Sequence, residues 1–130
     1  MLRLGVLSTV FVVERLAGTR EPPAGAWHAL VRAPEGLTVV RDAGAETAAE
    51  DRWTGLYDAD AGHGLETPGL LASVVGPLAE AEVPVFVVST YDADLVLVPA
   101  RRTDDMVVAL EAAGHELVRD DTRWDAPARS

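Results

Sequence analysis

The stretch Thr67–Pro99, "TPGLLASVVGPLAEAEVPVFVVSTYDADLVLVP", contains one helix pattern and two strand patterns, and their order decides the fold. Thr67 is a good helix N-cap, and Pro68 suits the first helical position, where its missing N–H costs nothing. Leu70, Leu71, Val74, Val75 and Leu78 recur with the helical period and form one apolar stripe. Gly76–Pro77 weakens the last turns, so a bend is expected there. Val83–Thr90 and Asp94–Val98 are apolar at nearly every position, the pattern of strands covered on both faces. Thr90, Asp92 and Asp94 stand between them. A hairpin needs turn formers, but it does not need two carboxylates and a hydroxyl beside a core.

Working outward, Thr103 is the next N-cap, with Asp104 and Asp105 in the first turn of a helix that buries Met106, Val107 and Leu110. Gly114 stands where a left-handed helix end belongs, and His115–Val118 closes as a strand. Upstream, Arg52–Asp58 reads as a strand. Strand, helix, strand, strand, helix, strand over residues 52–118 is the ferredoxin-like βαββαβ order of an α+β fold. It places both helices on one face of the sheet. The other face must be covered by residues 1–51 or by a partner chain, and both are expected to contribute. The first half offers strands at Thr9–Leu16, His28–Arg32 and Leu37–Arg41, a hairpin turn at Pro34–Glu35–Gly36, and a short helix over Ala43–Asp51. Three segments follow: a strand-rich half over 1–51, a βαββαβ unit over 52–118, and a flexible tail over 119–130 with Trp124 as its one possible anchor.

The 130 residues suit one ordinary domain or two very small ones that share a core. The chain has no cysteine, which excludes a disulfide scaffold and thiolate chemistry. Its 21 acids against 11 bases give a net charge of −10, which disfavours nucleic acid and anionic membranes as partners. Every one of those bases is arginine, a usage that fits a GC-rich genome. The apolar N-terminal run is broken by Ser8 and Thr9, is followed by Glu14–Arg15, and precedes no cleavage pattern. No segment reaches the ~18 apolar residues needed to span a bilayer. The expectation is a cytoplasmic, soluble protein.

Signals for catalysis are sparse. No glycine-rich phosphate loop is present. His28, His63 and His115 have no metal-ligand spacing, Ser73 and Ser89 lie in no nucleophile elbow, and Asp58, Asp60, Asp92 and Asp94 do not follow a calcium-loop pattern. The expectation is therefore no enzyme, no metal and no cofactor. Two features point instead to a small ligand. The loop "GHGLETPG", Gly62–Gly69, leads into a helix whose N-terminal N–H groups and positive dipole suit a carboxylate. The hairpin at Ser89, Thr90 and Asp94 offers carbonyls and a carboxylate, which suit an ammonium or guanidinium. A right-handed βαβ crossover makes strands 52–58 and 83–90 parallel, so the loop and the hairpin meet at one end of the sheet. Together they would hold both ends of a zwitterion.

The stretch Leu65–Pro99, with the Gly-x-x-x-x-Gly loop Gly64–Gly69, the "GPLAEA" helix end and "VSTYDADLVLV", resembles the amino-acid-binding ACT domain. It is most similar to the branch shared by small bacterial two-ACT proteins and the eukaryotic cytosolic arginine sensor. "AAGH" after the last helix adds to the likeness. The resemblance implies two ACT units per chain, the N-terminal half being ACT-like, with a free amino acid between them. It implies ligand contacts from Gly64, Leu65 and Gly69 in the loop and from Thr90, Tyr91 and Asp94 in the hairpin. His28–Arg32 is the first-half strand expected to face the groove. Glu66–Thr67 and Tyr91 depart from the arginine sensor, so the resemblance does not specify arginine. A homodimeric, non-catalytic regulatory module is the function implied. The alternative is a structural or partner-binding protein of the same fold with no ligand.

Overall fold

A computed structural model describes residues 2–18, 21–59 and 69–124. The elements in order are β1 (Arg3–Ala17), β2 (Ala29–Ala33), β3 (Gly36–Asp42), β4 (Trp53–Asp58), α1 (Leu70–Glu80), β5 (Phe86–Ser89), β6 (Asp94–Pro99), α2 (Thr103–Ala112) and β7 (Glu116–Asp120). The second half keeps the expected strand and helix order. Several boundaries differ, among them β5, which starts at Phe86 rather than Val83, and β7, which runs to Asp120 rather than Val118. β1 starts at Arg3 rather than Thr9, because Leu4, Val6 and the residues after them continue the two-residue alternation. Ala43–Asp51 holds only a 3₁₀ turn at Ala49–Asp51. There the Arg52 guanidinium donates to the carbonyls of Thr47 (3.2 Å) and Gly44 (3.0 Å) and draws the segment into a loop. α1 starts at Leu70, with Gly69 rather than Thr67 at its N-cap and in the left-handed region at φ 85°. Thr67 and Pro68 lie outside the described residues.

The sheet runs β2-β3-β1-β4-β6-β5, with β7 also paired to β1. In a ferredoxin-like sheet β7 would lie directly against β4. Here β1, from the first half, lies between them, antiparallel to β4 and parallel to β7. The two halves therefore share one sheet instead of packing as separate ones. β1 is long enough to use both edges. One edge follows β4, while the other pairs Arg3–Leu7 with β7 and Phe11–Ala17 with β3. Apart from the β1–β7 pair, every strand pairing is antiparallel.

Both helices cover one face. Val74 and Leu78 of α1 and Met106 and Leu110 of α2 are buried against Leu4, Leu56, Val96 and Val98. The opposite face curls on itself. Leu7, Phe11, Val40, Leu95 and Leu97 are buried there, with Ala29, Trp53, Phe86 and Val88 packed around them, so strands β1 to β6 all contribute to one core. The first half thus contributes to the cover of the second face. Gly55 makes this possible. Leu7, Ser8 and Thr9 form an irregularity opposite it, and a Cβ on Gly55 would lie 2.7 Å from the Phe11 ring and 3.1 Å from Leu7.

Pro77 sits inside α1 and cannot donate to the carbonyl of Ser73, four residues earlier. That orphan accepts instead from His115 Nε2 at 2.8 Å, while His115 Nδ1 accepts from the Leu2 amide at 3.0 Å. His115 is 6% exposed and is fixed as the Nε2–H tautomer, joining α1 to Leu2, the residue before β1. Both helices end in the same two-bond arrangement. Val83 and Glu82 donate to Leu78 and Ala79 after α1, and His115 and Gly114 donate to Leu110 and Glu111 after α2. Gly114 takes the left-handed position in the second case, as its place in the sequence predicts; Glu82 takes it in the first, at φ 58°.

Two outcomes are expected. Gly55→Ala should destabilise the chain by about 1–3 kcal/mol in urea unfolding, because the buried Phe11 ring must move. His115→Phe should cost about 1–3 kcal/mol for each polar group it strands. Part of that loss should return in the Pro77→Ala background, where residue 77 regains an N–H for Ser73.

Candidate functional site

The end of β4, the start of α1 and the β5–β6 turn enclose a cavity of about 270 Å³. Leu4, Leu56, Leu71, Val74 and Val96 form its apolar floor. Its polar lining comes from Asp58, Gly69, Ser89, Thr90, Asp92 and Asp94. β4 and β5 are both antiparallel to β6, hence parallel to each other, and their C-terminal ends Asp58 and Ser89 lie at the same end of the sheet. β6 lies between them, so they approach through its end and the turn before it rather than as neighbours.

Two elements give the site its electrostatics. α1 presents Gly69, Leu70 and Leu71 to the cavity, and a helix leaves the first-turn N–H groups without carbonyl partners of its own. Those groups and the dipole favour negative charge. Asp58, Asp92 and Asp94 also belong to the lining, with no arginine, lysine or histidine among the described lining residues. Those carboxylates favour a cation. The described residues contain no group of three His, Asp or Glu placed to hold a metal ion.

The β5–β6 turn is organised by one hydroxyl. Thr90 Oγ1 donates to the Ala93 carbonyl at 2.8 Å and accepts from the amides of Asp92 (3.2 Å) and Ala93 (3.0 Å). The Thr90 amide donates to the same carbonyl at 2.7 Å. Asp94 opens β6 directly opposite Ser89, whose hydroxyl donates to its carboxylate at 2.6 Å. This answers the question raised by the sequence. The hydroxyl builds the turn, and the turn carries two acids to the mouth of the cavity.

Of the residues singled out from sequence, Gly69, Thr90 and Asp94 come together around this cavity. Tyr91 is 79% exposed and is not part of the lining. Gly64 and Leu65 lie outside the described residues. The contribution of the first half differs from expectation. His28 does not reach the cavity; it bonds Asp42 at 2.6 Å beside Phe11 on the opposite face of the sheet. Leu2 and Leu4 supply that side instead. Their alternation with Val6 was the available signal. Asp58 and Asp92 also belong to the lining, although the sequence offered them only as weak metal ligands.

A family model for the ACT domain matches residues 48–112. Solved structures are also similar. The crystal structure of a protein from Agobacterium tumefaciens superposes with a TM-score of 0.75 at 25% identity, over 93% of this chain and 95% of its own. A protein of unknown function from Vibrio cholerae, described as a possible transport protein, gives 0.62 at 24% identity over 82% of this chain and 85% of its own, a likeness of fold. No curated protein matches the chain.

Thr90→Val should disorder the turn while leaving the core intact. It removes the acceptor of the Asp92 and Ala93 amides, and the expected loss is about 1–3 kcal/mol. The measurement is urea unfolding, with the two amides followed by NMR.

Proposed function

The chain belongs to the ACT domain family, and from that premise we propose that it is a non-catalytic regulatory module that binds a free amino acid in the cavity between α1 and the β5–β6 turn. ACT domains are in general regulatory modules of this kind. One observation carries the assignment: Gly69 at the start of the helix and Asp94 past the buried strand line the same cavity. The ligand carboxylate rests on the first-turn amides of α1, and the ligand ammonium sits near Asp94, with Asp58 and Asp92 adding negative potential. The cavity volume of about 270 Å³ is close to the lower limit for ligand pockets, which fits a single amino acid better than a larger metabolite. In this reading residues 52–118 supply the polar contacts, while residues 1–51 complete the sheet beneath them and add Leu2 and Leu4 to the cavity wall.

Titration calorimetry with the twenty free amino acids tests the proposal. At least one should bind at sub-millimolar concentration. Asp94→Ala should weaken that binding about ten- to a hundred-fold, since a hydrogen bond to a charged group contributes roughly 1.5–3 kcal/mol. If every amino acid is silent at millimolar concentration, the cavity is not an amino-acid site.

A further inference from the structure

The aromatic cluster on the face opposite the helices gathers around Trp124. Its ring meets those of Tyr57, Phe11 and His28 edge-on, at centroid distances of 5.0, 5.9 and 6.0 Å. The segment that delivers Trp124 is pinned before it arrives. The Thr122 amide donates to Asp120 Oδ1 at 3.0 Å, and the Ser8 hydroxyl donates to the Asp120 carbonyl at 3.3 Å. Arg119 donates to Asp121 at 2.8 Å, and that hydrogen bond holds the Asp121 carboxyl below its ordinary range. Residues 119–124 therefore follow a defined path over the sheet, where the sequence led us to expect a loose tail.

Tyr57 links this cluster to the cavity. Its ring packs on Trp124, and its hydroxyl lies 3.0 Å from Thr90 Oγ1. The two hydroxyls share this hydrogen bond, and either oxygen can donate. The amides of Asp92 and Ala93 rest on the same Thr90 oxygen. Trp124 itself does not line the cavity. We infer that Trp124 is a positioning residue, which holds the Tyr57 ring so that its hydroxyl locks the Thr90–Asp94 turn and fixes Asp92 and Asp94 at the cavity mouth. The C-terminal segment thus acts as a latch on the turn from the far side of the sheet. The effect on ligand affinity rests on the amino-acid-binding reading above; the effect on the turn does not.

The test is amide hydrogen exchange on the unliganded full chain, read residue by residue, because exchange reports local opening. Trp124→Ala should speed exchange at the Asp92 and Ala93 amides about five-fold, while the Ala109 and Leu110 amides of α2 stay as they were. Tyr57→Phe, which keeps the ring and removes only the hydroxyl, should give about the same acceleration with Trp124 in place. Trp124→Phe should restore most of the protection. Unchanged exchange at Asp92 and Ala93 in Trp124→Ala would overturn the latch. Equal acceleration in the turn and in α2 would also overturn it, since the side chain would then be serving general stability. Where an amino acid is found to bind, Trp124→Ala should weaken it by a similar factor, with full affinity overturning the link to the site. If none binds, the amino-acid reading fails and the exchange comparison alone decides the latch.

Discussion

The molecule is organised by the double use of β1. One strand forms hydrogen-bonded ladders with β4 along one edge and with β7 and then β3 along the other. Strand pairing satisfies backbone groups that would otherwise be buried without partners. A 15-residue strand that uses both edges therefore merges two small sets of strands into one sheet. The cost is crowding where the strand changes partners, and Gly55 relieves it by leaving space for Phe11 and Leu7. A further consequence is that the beginning of the chain becomes part of the site. With β1 beside β7, the Glu116 amide donates to the Leu2 carbonyl, and Leu2 and Leu4 reach the cavity.

The position of α1 follows from polar accounting as much as from its apolar stripe. Pro77 orphans the Ser73 carbonyl, and a buried carbonyl without a partner is expensive, so His115 is drawn across from the end of α2. At the C-terminal end, Arg102 donates to the carbonyls of Glu82 and Ala81, and its guanidinium also meets Asp105 in the first turn of α2. α1 is thus tied at its middle and at its far end to the α2 segment. Its N-terminal residues Gly69, Leu70 and Leu71 line the cavity. A proline and a histidine 38 residues apart in the chain belong to one structural device.

The site divides its labour between backbone and side chain. Helical amides offer positive potential, while the acids Asp92 and Asp94 owe their place to a turn held together by Thr90. The Thr90 hydroxyl shapes the loop and is already engaged by four protein groups. Because the same oxygen meets Tyr57, the turn is supported from both faces of the sheet.

The local character of the chain was legible in its residues. The stripe of α1, the two apolar strands around the acidic turn, Gly114 at the end of α2 and the likeness to an ACT domain all follow from periodicity, capping chemistry and motif, which are properties of neighbours in sequence. Trp124 could be named as an anchor because it is the one large apolar side chain in a polar segment. What it anchors to could not be read. The insertion of β1 between β4 and β7, the choice of Leu2 and Leu4 over His28 to line the cavity, and the debt that Pro77 leaves for His115 to settle were decided only by tertiary structure. Each depends on which strand edges meet and on which buried polar groups still lack a partner, and those quantities exist only once the chain is folded.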